Sequence, residues 1–128
     1  MPNSNLNVKF FPFFDSVKNP ITTDGTSESC NNNGYDRLTL EVTGSGSGTL
    51  SVEGCVNFLD AAGNEKQDSD CTFTAIQVLD LSDYEMKSSI EDVGIYQVDI
   101  AGLSKIHIKA ESVSGTGLTI VGALSKRN

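Results

Sequence analysis

Apolar residues recur at every second position in several short runs of this chain. The clearest runs are RLTLEVTGSGSGTLSVEG at 37–54 and KIHIKAESVSGTGLTIVG at 105–122, which align without a gap. Each run reads as an alternating strand, a Gly/Ser turn and a second alternating strand, which is the pattern of a β-hairpin. Two of the eighteen aligned positions are identical. The match therefore fits either two independent hairpins or an internal duplication.

The same alternation predicts strands along most of the chain, with polar or glycine-rich turns between them. The predicted strands cover 36–43, 49–59, 72–81, 94–100, 105–112 and 117–124. Short strands separated by regular turns are typical of sandwiches and small barrels. The chain has 128 residues, which is the size of one such domain. We expect an all-β, jelly-roll-like antiparallel β-sandwich of seven to eight strands over residues 36–124, with a short tail at 125–128.

Residues 1–35 are predicted to form an N-terminal aromatic arm followed by a polar loop. Four of the six Phe residues of the chain lie within five positions: Phe10, Phe11, Phe13 and Phe14. Pro12 limits regular ladder pairing in this segment. The rings either close the core of the sandwich or dock on a neighbouring subunit, since terminal apolar clusters often serve interfaces. These four Phe residues are the candidate interface residues.

Charge and hydropathy narrow the classes of partner. The formal net charge is −8, which disfavours binding to nucleic acid and to anionic lipid. No segment approaches the twenty apolar residues of a membrane span. The first fifteen residues lack a basic n-region, and Pro12 interrupts their apolar run. We therefore expect no signal peptide, synthesis in a cytoplasm and no membrane contact.

The three cysteines cannot all pair within one chain. If strands 49–59 and 71–80 form a hairpin centred near residue 65, Cys55 lies opposite Ala75. Cys71 then lies about four residues away along the strands, which exceeds the reach of a disulfide. The sequence thus predicts reduced thiols, in agreement with cytoplasmic synthesis.

Residue types that support catalysis or metal binding are sparse. His107 is the only histidine, and no local signature places a nucleophile and an orienting acid beside it. His107 is predicted to face outward, because Ile106 and Ile108 face inward. The cysteines are too widely spaced for a zinc site. The acidic loop Asp60–Asp70 offers oxygen ligands for calcium, but it lacks the EF-hand pattern, so a solvated loop without a cofactor is the favoured interpretation.

One series of motifs resembles a known family. The segment GIYQVDIAGL at 94–103 is followed by IHIK at 106–109 and by a hairpin ending LTIVG at 118–122, while an Asp-x-x-Gly loop lies upstream at 60–63. Over residues 36–124 this series resembles a small β-sandwich module of phage and prophage virion proteins, mostly tail and baseplate components. The family's usual Arg after the Gly-Leu turn is replaced here by lysines and His107.

The resemblance implies a non-enzymatic structural component of a phage or prophage tail, baseplate or fibre. Such a component would contact other virion proteins, form a homo-oligomer, and be made in the host cytoplasm before assembly into the virion. No catalytic residues come with the resemblance. The alternative is a carbohydrate-binding or host-receptor-binding module of the same fold, which needs a concave site with aromatic platforms or a bound cation. The expected scarcity of exposed aromatic residues counts against this alternative, whereas the acidic loops count mildly for it.

Overall fold

The structure, a computed structural model, describes residues 8–15, 21–115 and 117–126. These residues form no α-helix, a single 3-10 turn at Asp68–Asp70 and eleven strands. The strands are β1 (Val8–Phe14), β2 (Gly25–Thr26), β3 (Cys30–Asn31), β4 (Arg37–Gly44), β5 (Ser47–Cys55), β6 (Thr74–Ile76), β7 (Val78–Asp80), β8 (Glu85–Lys87), β9 (Gly94–Asp99), β10 (Lys105–Ser114) and β11 (Leu118–Ser125).

The strands form two antiparallel sheets that pack as a sandwich, which confirms the predicted fold class. The six-stranded sheet has the order β1-β11-β4-β9-β7-β8. The five-stranded sheet has the order β2-β10-β5-β6, with β3 also paired to β10. The strand count exceeds the predicted seven to eight because five of the strands have only two or three residues. The single strand predicted at 72–81 is divided into β6 and β7, which belong to different sheets.

The two motifs predicted as hairpins are arches that cross between the sheets. β4 pairs with β9 and β11, whereas the next strand, β5, pairs with β10 and β6. β10 and β11 are likewise in different sheets. A hairpin would place both apolar faces on one side of a single sheet. In an arch the two strands of a motif face each other, so each motif supplies both walls of the core.

The core lies between the inner faces of the two arches. The inward side chains of the long strands are buried, among them Leu38, Leu40 and Val42 on β4 and Ile106 and Ile108 on β10. The same core cluster includes Leu50 and Val52 of β5, in the sheet opposite β4. The strands opposite β10 are β9 and β11, which contribute Tyr96, Val98, Ile120 and Leu124. The alternation in the sequence identifies nearly all of these positions.

Part of the predicted N-terminal arm is an edge strand. Val8–Phe14 pairs along β11, with an irregularity between Pro12 and Phe14. Phe13 and Phe14 are each only 2% exposed and belong to the core, whereas Phe10 is 73% exposed. The aromatic segment thus divides between core and surface. The remainder of the predicted arm at 1–7 and 16–20, and the tail at 127–128, lie outside the described residues.

The loop between β3 and β4 is tied down by one polar side chain. The Nδ2 amide of Asn32 donates to the carbonyl oxygens of Tyr35, Ile100 and Leu103, at 3.0–3.1 Å. Its Oδ1 accepts the Tyr35 N–H at 2.8 Å. This network joins the loop to the Gly102 turn, whose positive φ of 87° agrees with the turn predicted there.

Candidate interaction surface

An uncharged row of side chains crosses the outer face of the six-stranded sheet. Pairing in the sheet places Phe10 beside Ala123, Ala123 beside Thr39, and Thr39 beside Gln97. Leu79 follows Gln97, and Met86 of β8 follows Leu79. Directly paired residues share a face of the sheet, so these six side chains form one band from edge to edge. We call this band, Phe10–Ala123–Thr39–Gln97–Leu79–Met86, the outer stripe.

The two ends of the outer stripe are its most exposed parts. Phe10 is 73% exposed and Met86 is 57% exposed. Large apolar side chains with this exposure contribute contact area without contributing to the core of their own chain. Ile95, which is 45% exposed, lies on the neighbouring row beside Glu41. On β9, apolar surface therefore extends one row beyond the stripe.

The outer stripe ends at β1, which is an edge strand of the sheet. β1 pairs with β11 on one side and has no strand partner on the other side among the described residues. Pro12 has no N–H, which weakens addition of a further strand at that point, as edge prolines commonly do. The exposed ring of Phe10 lies two residues before it. Contacts at this edge are therefore expected to depend on side chains more than on a continued hydrogen-bond ladder.

The other sheet carries a covered polar cluster on its outer face. Glu53 and His107 are directly paired across β5 and β10, and their Oε1 and Nε2 atoms are 2.7 Å apart. Phe73 stacks on the imidazole with ring centroids 3.8 Å apart. His107 faces away from the core as predicted, but it is only 9% exposed. The segment before β6 covers it.

Lys105 lies on the same face and is the most buried charged residue of the described chain. Its Nζ is 3.1 Å from Glu65 and 3.0 Å from Asp68. Burial disfavours the ammonium, but these two carboxylates outweigh it and raise the pKa of Lys105. A hydrogen bond from Ser29, supported by Lys105, lowers the pKa of Asp68. The 60–70 loop is thereby anchored on the sheet by ion pairs.

The acidic loops are occupied by contacts within the chain. Asp60 Oδ1 accepts the N–H groups of Ala62 and Asn64, each at 2.9 Å. In the turn between β7 and β8, Asp80 and Asp83 both bind the Nζ of Lys87. The described residues contain no group of three or more acidic, His or Cys side chains placed to hold a metal ion.

The register between β5 and β6 differs from the prediction. Gly54 pairs with Thr74, so Cys55 lies across from Phe73 and not from Ala75. The prediction assumed equal numbers of residues on the two sides of the loop between β5 and β6. It was wrong because the 3-10 turn adds residues only to the side that leads into β6. Cys71 is consequently two residues closer to Cys55 along the strands than predicted. The predicted separation of these two thiols was therefore incorrect.

Sequence reasoning selected four Phe residues as candidate interface residues and missed the outer stripe. Phe13 and Phe14 are used inside the core, and only Phe10 presents most of its ring to solvent. Thr39, Gln97 and Met86 come from three separated strands. Each occupies an outward position of an alternating strand, but only the order of strands in the sheet brings these positions into one row.

Comparison with known proteins gives a structural likeness. No protein-family model matches the sequence, and no curated protein matches it. None of the described segments forms a helix with the length and apolar content of a membrane span. The crystal structure of SPBc2 prophage-derived protein YomS superposes with a TM-score of 0.71 at 22% sequence identity, covering 97% of both chains.

A second solved structure has the same arrangement. The crystal structure of PBSX exported protein XepA matches with a TM-score of 0.72 at 17% identity. The match covers 97% of this chain and 39% of XepA, so this chain corresponds to less than half of that protein. Identities of this size establish shared architecture only. The chain thus has the β-sandwich fold found in the prophage proteins YomS and XepA.

Proposed function

We propose that this protein is a non-enzymatic structural component of a phage or prophage particle, in a tail, baseplate or fibre. It acts through contacts with further copies of itself and with other virion proteins. The observation that carries the proposal is the outer stripe, an uncharged band with exposed Phe10 and Met86 at its ends. The fold shared with YomS and XepA supports the particle context.

Charge explains why the outer stripe is the surface on which copies would meet. Each copy has a formal net charge of −8, so two copies repel each other across most orientations. Contact through an uncharged band avoids bringing like charges together and removes apolar area from water. The charged side chains beside the stripe, such as Arg37 and Asp99, are directly paired with each other across β4 and β9. Closed symmetric assemblies are the usual result of such self-association.

The polar groups elsewhere support a structural role. His107 is bound to Glu53 and stacked on Phe73, and Lys105 is held by two carboxylates. A catalytic base needs access to a substrate proton, whereas these groups are covered. Their contacts hold the loop on the sheet and leave neither His107 nor Lys105 open to a substrate.

The test is the solution mass of the full chain by light scattering, with three single variants. We expect a defined oligomer for the parent chain, and a shift toward monomer for Phe10→Asp and Met86→Asp. Tyr84→Asp is the matched control, because Tyr84 is 76% exposed but lies in the β7–β8 turn, off the stripe. Truncation of residues 1–14 is unsuitable, because it removes the buried Phe13 and Phe14.

Two results would contradict the proposal. A parent chain that stays monomeric at high concentration would exclude self-assembly and favour the alternative function of binding a carbohydrate or host receptor. An oligomer that survives both stripe variants would place the interface elsewhere on the molecule.

A further inference from the structure

Two cysteines lie in one cluster where β5 ends and the chain returns toward β6. Cys55 is the last residue of β5, is buried, and points to the outer face of its sheet beside Lys105. Cys71 follows the 3-10 turn with extended backbone and is half-buried. Lys105, the strand partner of Cys55, binds Asp68 at 3.0 Å, and the carbonyl of Asp68 accepts the N–H of Cys71 at 3.1 Å. Both cysteines therefore belong to one cluster on the outer face of the sheet. Burial, with the nearby Cys71 thiol, raises the pKa of Cys55, and such proximity is what a disulfide between two cysteines requires.

The third cysteine is kept apart by the sheet itself. Cys30 lies on β3, pairs with Ile106 and belongs to the apolar core. Cys55 pairs with the next residue, Lys105, and so faces the opposite side of the same sheet. No rearrangement short of unfolding brings Cys30 to either of the other thiols. The fold thus selects one pair out of three possible pairs.

We propose that Cys55 and Cys71 form a specific oxidation site, a dithiol that closes to an intramolecular disulfide when the folded protein meets a disulfide oxidant. The oxidant class is a small-molecule or protein disulfide, as encountered outside a reducing cytoplasm. This inference does not depend on the proposed assembly function.

The reaction proceeds by two thiol–disulfide exchanges. Cys71, the more accessible thiol, loses its proton to solvent and its sulfur attacks one sulfur of the oxidant, releasing one thiol and leaving a mixed disulfide. Cys55 then loses its proton and attacks the Cys71 sulfur, expelling the second thiol. The oxidant is reduced to two thiols while the protein loses two hydrogen atoms. Burial, together with the neighbouring Cys71, raises the pKa of Cys55, so the second step is expected to be slow at neutral pH.

Closure has a structural consequence for the covering loop. The new bond would link the end of β5 to the residue after the 3-10 turn and enclose residues 56–70. This loop carries Glu65 and Asp68, which bind Lys105. In the reduced protein, ion pairs and local hydrogen bonds hold the loop on the sheet. In the oxidised protein a covalent bond holds it as well, and the loop can no longer lift away.

To test this proposal, the reduced, full-length, folded protein is treated with oxidised glutathione. Its free thiols are then counted by alkylation and mass spectrometry. We expect the count to fall from three to one, with peptide mapping assigning the link to Cys55–Cys71. Cys30→Ser should still lose two thiols and form the same link. Cys71→Ser should form no intramolecular link. The oxidised parent chain should also unfold at a higher temperature than the reduced chain.

Three results would overturn the proposal. One is retention of all three thiols by the folded chain under conditions that oxidise it in denaturant. Another is a glutathione adduct on Cys71 that never resolves to the internal disulfide. The third is a link that includes Cys30. Because the readout is thiol connectivity, it is unaffected by whether the stripe variants alter the oligomer.

Discussion

Gly44 and Gly117 are in backbone contact where the two arches turn. A Cβ added to Gly44 would lie 2.5 Å from the carbonyl oxygen of Gly117, closer than nonbonded atoms approach. Gly46 is similarly tight, because a Cβ added there would lie 2.9 Å from each of three backbone atoms of the other arch. The glycine-rich turns were predicted to be hairpin loops. They are instead the place where the two arches pack against each other.

Replacing Gly44 with Ala should destabilise the fold by about 2–4 kcal/mol, because strain at positive φ adds to overpacking against fixed backbone. The φ of Gly44 is 117°. Gly63→Ala is the matched control, since Gly63 has a φ of 86° and no atom within 4 Å of a Cβ. The control should cost only about 1 kcal/mol. Urea unfolding measures the free energy of unfolding of both variants. Equal losses would show that packing against the Gly117 backbone adds nothing to the cost of Gly44→Ala.

The aromatic segment supplies a second matched pair. Phe13 is buried and its ring is 4.8 Å from Phe11 in an edge-on arrangement. Phe13→Ala should lower the free energy of unfolding by about 3–5 kcal/mol through lost burial and a residual cavity. Phe10→Ala should change it by less than about 0.5 kcal/mol, as is usual for exposed positions. Both are measured by urea unfolding at one low protein concentration. A large loss for Phe10→Ala would show that its ring is buried in solution.

Lys105→Met should loosen the 60–70 loop. The substitution keeps the aliphatic length of the side chain but removes the ammonium that binds Glu65 and Asp68. We expect a loss of about 1–2 kcal/mol, below that of a fully buried pair, because both carboxylates are about half-exposed and regain water. Hydrogen exchange should show faster exchange in the loop. Lys109→Met, an exposed position on the same face of β10, should leave loop exchange unchanged.

Acid should destabilise the β7–β8 region through Asp80. A hydrogen bond from Lys87, with further bonds from Ser82, lowers the pKa of Asp80 from 3.8 to about 2. A depressed folded-state pKa stabilises the folded state above the unfolded value, and this contribution is lost as pH falls. The free energy of unfolding should therefore decline between about pH 4 and pH 2.

Asp80→Asn should flatten that decline, and Lys87→Met, which removes the ammonium but keeps the carboxyl, should flatten it as well. Urea unfolding at a series of pH values measures the slope for each variant. An unchanged slope in both variants would assign the acid sensitivity to other carboxylates, such as Asp68, whose pKa is also lowered.

The fold class and most core positions were predictable because burial on one face leaves period-two alternation in the sequence. Leu38, Leu40, Ile106 and Ile108 carry that signal directly. The hairpin prediction was wrong, since alternation reports which side of a strand is apolar and not which strand pairs with it. Two strands joined by a short turn show the same pattern in a hairpin and in an arch.

The contacts between distant segments had no comparable signal. Asn32 looks like one of several polar loop residues, and only the fold brings Ile100 and Leu103 to its amide. The thiol pair was misplaced by two residues because a symmetric loop was assumed. The outer stripe depends on strand order, which pairing between distant strands determines.

The placement of the final arch affects when the protein can fold during synthesis. β11 separates β1 from β4 in one sheet, and β10 lies between β2 and β5 in the other. Until residues 105–125 have left the ribosome, β4 and β5 have no partner on one side, and β1 has none at all. Native topology dominated by such distant pairings forms slowly. The two sheets therefore cannot be completed until residues 105–125 have been translated, and ribosomal stalling before residue 105 would leave one edge of β4 and one edge of β5 unpaired and open to other chains.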